Sequence, residues 1–120
     1  MAEVEHISAV TFAVRDMARS VAFYRQLGFT MLRGGEDASF SSFRFGEAFV
    51  NLAAVSTYKG QWWGRVILRV TEVDAYHQTL TAAGLQPDKP MDAPWGERFF
   101  HISDPDGHEL SFAELLLSRL

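Results

Sequence analysis

The chain contains no cysteine. Disulfides, thiolate metal sites and cysteine nucleophiles are therefore excluded outright. It also lacks an apolar run long enough to span a bilayer. No charged segment, apolar stretch and small-residue cleavage site stand at its start, so the expected location is the cytoplasm. Basic charge is not in excess: Lys and Arg number 11 against 15 Asp and Glu, a formal net charge of −4. Nucleic acid and anionic membranes attract basic stripes, so neither is expected as a partner. What the 120 residues do have is an ordinary globular composition, 48 % hydrophobic and 22 % charged, enough for one well-buried domain. The one bias is aromatic. Ten Phe, three Trp and three Tyr make 13 %, and aromatic side chains line ligand pockets as well as cores.

A repeat runs through the chain. "AVTFAVRDMARSVAFYRQLGF" (9–29) lies over "RVILRVTEVDAYHQTLTAAGL" (65–85) without a gap, at an offset of 56. Val10 falls on Val66, Phe12 on Leu68, Val14 on Val70, Asp16 on Glu72 and Gly28 on Gly84. Each block alternates as a strand and then takes helical spacing, with Met17, Val21 and Tyr24 in the first helix and Val73, Tyr76 and Leu80 in the second. Asp16 is the expected N-cap of the first helix, Thr71 and Asp74 resemble a capping box for the second, and Gly28 and Gly84 close them. Strand-like segments follow: "FTMLRG", "SFSSFRF" and "AFVNLAAV", then "RFFHIS" and "ELSFAEL", with the first strand of this second set not identifiable. "FVNLAAV" matches "ELSFAEL" at an offset of 60, placing Val50 on Leu110 and Asn51 on Ser111. The unit is βαβββ, used twice.

On "VRDMARSVAFYRQLGF", "LRVTEVDAYHQTLTAAG" and "DAPWGERFFHISDPDGHELSFAEL" the chain resembles the vicinal oxygen chelate superfamily, over nearly its whole length. That superfamily includes glyoxalase I, extradiol dioxygenases, and fosfomycin- and bleomycin-resistance proteins; the nearest likeness is to its small bacterial members. The resemblance implies an α+β fold in which two βαβββ modules form a half-open mixed β-barrel, and it implies a homodimer. A single domain over 1–120 is expected, with module one at about 6–57 and module two at about 62–116. Leucines in the C-terminal "ELLLSRL" are candidates for covering by a partner or by the domain itself.

In metal-dependent members each module supplies two ligands, usually His on its first strand and Glu on its last. The corresponding positions here are Ala9, Asn51, Arg65 and Ser111. Alanine offers no donor, Ser and Asn are weak neutral ligands, and a guanidinium repels a divalent cation. No metal and no other cofactor is expected. Of the four histidines, His6 has the wrong strand parity, His77 sits on the second helix and His108 in the DPDG turn, which leaves His101 facing inward with Glu109 near it.

Period-two alternation puts Thr11, Phe49 and Asn51 of module one, and Arg65, Arg69, Phe99 and Ser111 of module two, on the sheet face away from the helices. His101 and Glu109 share it and are the candidate proton-transfer groups. Arg65 and Glu109 could equally form an ion pair across the sheet, and Asn51 could bond a loop backbone. Asp104 and Asp106 read as turn formers. Trp62, Trp63 and Trp95 lie in glycine-flanked loops, available to stack on a flat ligand or to close an interface.

Three functions are compatible with these residues. The first is a metal-independent protein that binds a small aromatic or anionic ligand in the cleft, sequestering an antibiotic as the bleomycin-binding branch does. The second is a lyase- or isomerase-type enzyme using Arg65 with His101 or Glu109. The third is a dioxygenase- or glyoxalase-like metalloenzyme with relocated ligands. Whether the protein is a catalyst or a carrier is not decided by the sequence.

Overall fold

The computed structural model describes residues 2–116, so of the "ELLLSRL" tail only Glu114–Leu116 are described. These residues divide into two compact units, the first ending at Lys59 and the second beginning at Gly60. In the first, β1 (Ala9–Val14), α1 (Met17–Gln26), β2 (Thr30–Arg33), β3 (Phe40–Phe45) and β4 (Ala48–Ala54) follow in order. Their sheet runs β1-β4-β3-β2. In the second, β5 (Arg65–Arg69), α2 (Val73–Ala82), β6 (Met91–Ala93), β7 (Glu97–Ser103) and β8 (Glu109–Leu115) make a sheet of order β5-β8-β7-β6. In both sheets the first strand pairs parallel to the last and the remaining pairs are antiparallel. This is βαβββ twice, an α+β architecture of two mixed four-stranded sheets. The strand that the sequence hid is β6, three residues held only by β7. So short a segment shows no periodicity of its own.

The repeat is kept at the level of hydrogen-bond register. Ala9 lies opposite Phe49 and Thr11 opposite Asn51; Arg65 lies opposite Glu109 and Ile67 opposite Ser111. The alternate residues of each sheet form the cores. Phe12, Val14, Phe43, Val50 and Leu52 are buried with Met17, Val21 and Tyr24 of α1, and Tyr24 is 6.0 Å ring to ring from both Phe12 and Phe43. Leu68, Phe100, Ile102, Leu110 and Phe112 are buried with Val73 and Leu80 of α2. Tyr76 meets Phe112 edge-on at 4.9 Å, and burial pushes its phenol above the usual tyrosine range.

The helix ends differ between the units. Asp16 caps α1 as expected, its Oδ1 accepting the Arg19 N–H at 3.1 Å. The expected capping box does not form on α2: its N-cap is Glu72, with no side-chain cap. Asp74 is drawn away by Arg98, whose Nη2 lies 3.1 Å from its Oδ1. The Val73 N–H instead donates to Glu114 Oε1, brought in by β8 at 2.9 Å. Gly28 and Gly84 end the helices at φ 92° and 90°, where a side chain would be strained. His6 precedes β1, so the strand-parity argument made for it has no strand to act on; it is exposed.

Candidate functional site

Two sheet faces carry the candidate residues, one in each unit. On the second unit's sheet the face away from α2 presents Arg65, Ile67 and Arg69 of β5, Glu109, Ser111 and Ala113 of β8, and Glu97, Phe99 and His101 of β7, as cross-strand register requires. A recess of about 100 Å³ opens there over His101 and Ser111, walled by Trp95, Phe99, Ile67 and Arg65.

The charges on this face are matched. Arg65 Nη2 lies 3.2 Å from both carboxylate oxygens of Glu109, and Arg69 Nη2 lies 3.0 Å from Glu97 Oε2. The ion pair between Arg65 and Glu109 therefore forms. Glu109 also accepts the Trp62 indole N–H at 2.8 Å. That bond above all, then the Arg65 guanidinium, holds its carboxyl below the usual glutamate range against the opposing cost of desolvation.

His101 is placed differently. Its backbone N–H donates to Asp88 Oδ1 at 2.6 Å, and its ring lies 5.1 Å from that of Phe99. Ser111 stands directly across from it on β8. Its Nδ1 is buried and has no hydrogen-bond partner among the described residues. Leaving such a group unsatisfied costs about 1–3 kcal/mol, which a bound molecule or water would recover.

Each tryptophan of the two loops is held by its N–H while its ring stays open to solvent. Trp62 bonds Glu109, Trp63 donates to His108 Nδ1 at 2.8 Å, and Trp95 donates to Glu97 Oε1 at 2.7 Å. Their exposures are 68 %, 48 % and 66 %. Trp95 lies nearly parallel to Phe99, 14° between planes with ring centres 6.4 Å apart. Because His108 accepts at Nδ1, its neutral proton sits on Nε2. His108 is buried by the DPDG turn, which Asp104 braces by accepting the N–H groups of Asp106 and His108 at 2.9 Å each. Glu97 and His108 were not among the candidates from sequence. The first was legible, two residues before Phe99 on the same face; the second was not, because its role depends on where the loop of Trp63 returns.

On the first unit's sheet, Thr11, Phe49 and Asn51 share the face away from α1 with Ser42. Asn51 bonds side chains of neighbouring strands, not a loop backbone: the Ser42 hydroxyl donates to its Oδ1 at 2.7 Å, and its Nδ2 donates to Thr11 Oγ1 at 3.3 Å. A recess of about 320 Å³ lies here, lined by Ala9, Leu32, Arg33, Ser42, Phe49 and Asn51. Arg33 was not anticipated, because a register shift between Met31 and Arg33 sets it, in place of Leu32, opposite Ser42.

The positions at which the resemblance implies metal ligands do not fit a cation. In the first unit they are Ala9, which has no donor, and Asn51, whose oxygen is engaged by Ser42. In the second they are Ser111 and Arg65, the latter a fixed positive charge bound to Glu109. Among the described residues no three His, Cys, Asp or Glu side chains cluster as an alternative set.

Comparison with known proteins accords with this architecture. The Glyoxalase/Bleomycin resistance protein/Dioxygenase superfamily profile matches residues 6–112. An antibiotic binding protein from Streptomyces sp. CB03234 is 26 % identical, with 96 % of this chain and 99 % of that one covered at a TM-score of 0.76. The bleomycin resistance determinant encoded on transposon Tn5 is 21 % identical over 92 % of this chain and 98 % of its own, with a TM-score of 0.80. A lactoylglutathione lyase from Agrobacterium tumefaciens is 17 % identical, covering 93 % and 95 % at a TM-score of 0.77. No curated protein sequence matches. The profile spans most of the chain, and the chain belongs to the glyoxalase/bleomycin resistance protein/dioxygenase superfamily.

Proposed function

We propose that the protein is a metal-independent binder of a flat, small organic molecule, and that it sequesters this molecule as antibiotic-binding members of its superfamily do. One observation carries the reading: His101, whose buried Nδ1 has no hydrogen-bond partner among the described residues, lines a recess together with the nearly parallel Trp95 and Phe99 rings. A recess of about 100 Å³ takes a ring and its substituent, not a whole drug, so the remainder of the ligand lies on the exposed faces of the tryptophans. Indole N–H groups tied to Glu97, Glu109 and His108 fix those faces in advance, which lowers the entropy lost on binding. Ser111, beside His101, supplies a second polar contact.

Titration calorimetry and quenching of tryptophan fluorescence against planar aromatic antibiotics, bleomycin included, test the proposal. Saturable binding is expected without added metal and unchanged by EDTA, weakened about tenfold or more by Trp95→Ala or His101→Ala. No binding across the set, or binding only with a divalent ion, overturns it. The same orphan nitrogen also favours a second reading, a lyase or isomerase in which His101 moves a proton and Arg65 orients the substrate. Arg65→Ala and His101→Ala would then each abolish turnover of an identified substrate. For Glu109 the low pKa makes a weak base, better suited to positioning Arg65 and Trp62. We further propose a cytoplasmic homodimer, to be checked by light scattering on the purified protein.

A further inference from the structure

All three indole N–H groups of the protein donate to a side chain, but their acceptors are not alike. Trp62 and Trp95 donate to carboxylates, Glu109 at 2.8 Å and Glu97 at 2.7 Å. Trp63 donates to an imidazole, His108 Nδ1, at 2.8 Å. A carboxylate keeps its lone pairs through the neutral and mildly acidic range. An imidazole has a lone pair to offer only while uncharged, since both of its nitrogens donate once it is protonated. The Trp63 bond therefore exists with the neutral ring and is lost as pH falls through the ring's titration.

The segment that carries the two adjacent tryptophans has the form of a strap. Residues 60–64 belong to no helix or strand, and Gly60 and Gly64 bracket Gln61, Trp62 and Trp63 at φ 64° and 128°. Trp62 and Trp63, consecutive in the chain, are pegged to Glu109 and His108, which are consecutive as well. The strap runs against the DPDG turn, its Gly60 carbonyl 3.9 Å from where a Cβ on Gly107 would stand. Trp63 approaches His108 with its N–H edge, the ring centres 5.8 Å apart and the planes 61° from each other. That edge is the positive part of the indole, so an imidazolium repels it and gains no cation–π contact in this arrangement.

The surroundings of His108 are acidic. Asp104 and Asp106 are buried in the same turn, and Asp104 Oδ1 lies 2.9 Å from the His108 backbone nitrogen. Glu109 follows on β8 with Arg65 of β5 paired to it, and the strap from Gly60 to Gly64 carries no titratable side chain. A protonated His108 thus has carboxylates in its own turn, although it is buried.

We propose that the 60–64 strap is an acid-released latch: neutral His108 pegs Trp63, and protonation of His108 frees it while Trp62 and Trp95 stay held. Trp62 keeps its peg because the Glu109 carboxyl titrates below the usual glutamate range. The latch belongs to the free protein. Its effect on binding rests on the function proposed above: the Trp63 face is presented to a planar ligand at neutral pH and withdrawn in acid.

The test is NMR of the isotopically labelled full chain without ligand, from about pH 8 down to about pH 5, the span in which imidazoles ordinarily titrate. The Trp63 indole N–H is expected to shift in step with the His108 ring. It should also lose about fivefold or more of its protection from hydrogen exchange relative to Trp62 and Trp95. In His108→Asn, whose amide oxygen accepts at any pH, Trp63 is expected to stay protected throughout. In Trp63→Phe, a change at a half-exposed position that keeps the test open if His108→Asn fails to fold, the Gly60 and Gly64 amides should hold the parent's acid position at every pH. Trp62 and Trp63 responding alike, a Trp63 signal that does not follow His108, or strap amides that still titrate in Trp63→Phe would each overturn the latch. Planar antibiotics are expected to bind the parent several-fold more weakly at the acid end of the range, and His108→Asn equally at both ends. Unchanged affinity with an opening latch overturns its role in binding, whereas no binding at any pH overturns the proposed function and leaves the indole result standing.

Discussion

Glu109 draws together two roles: it accepts the bond from the Trp62 indole, which the sequence did not show, and neutralises Arg65, which the sequence allowed. Its carboxyl titrates lower in the folded protein than in the unfolded chain. The stability it supplies is therefore present above its unfolded pKa and is lost as pH falls through the lower folded value. Trp62→Phe removes the largest of its stabilising partners. The variant is expected to show a raised Glu109 pKa by NMR titration, and to be less stable than the parent at pH 7 but equal to it once acid has protonated the group. Asp104 offers a sharper case. Its Oδ1 accepts two backbone N–H groups in a buried turn, and Asp104→Ala leaves both without an acceptor. A loss of about 2–4 kcal/mol is expected in urea unfolding. That Asp104 forms a turn was legible from "DPDG"; that the turn holds His108, and through it Trp63, was not.

Elements show the same division between local and distant causes. Strands β1, β3, β4, β5, β7 and β8 and both helices follow from alternation and three-to-four spacing, because a half-buried sheet and a one-sided helix leave no other pattern. The N-terminus of α2 does not follow, since the acceptor for Val73 N–H comes from Glu114, 41 residues on. Glu114→Ala is expected to destabilise the protein by about 1 kcal/mol, with Glu114→Gln milder because its carbonyl still accepts. The β2–β3 connection is stricter. Gly34 has φ 86°, and a Cβ there would run into the Phe40 carbonyl and Ser41. Gly28 has a similar φ of 92° but open space around the added atom. Gly34→Ala should therefore cost well over the roughly 1 kcal/mol of backbone strain expected for Gly28→Ala, as urea unfolding of the two variants would show.

At the scale of the molecule, one supersecondary unit is used twice and its two faces have diverged in chemistry. The copy after Gly60 balances its charges and gathers aromatic rings around an imidazole; the copy before it carries unbalanced guanidinium and amide donors. Because the arginines of the second unit's face are already paired, raising ionic strength is expected to change planar-antibiotic binding little, as a calorimetric salt series would show.

By itself the sequence determined the repeat and the helix-facing cores, because each rests on residue type and near-neighbour periodicity, while the mismatch with a metal-ligand set followed from setting its residues against the pattern of the superfamily it resembles. Only the tertiary structure decided which charges cancel, which indole N–H is held, and which nitrogen stays without a partner. Those outcomes depend on atoms tens of residues apart along the chain meeting within about 3 Å, a condition that spacing along a sequence does not encode.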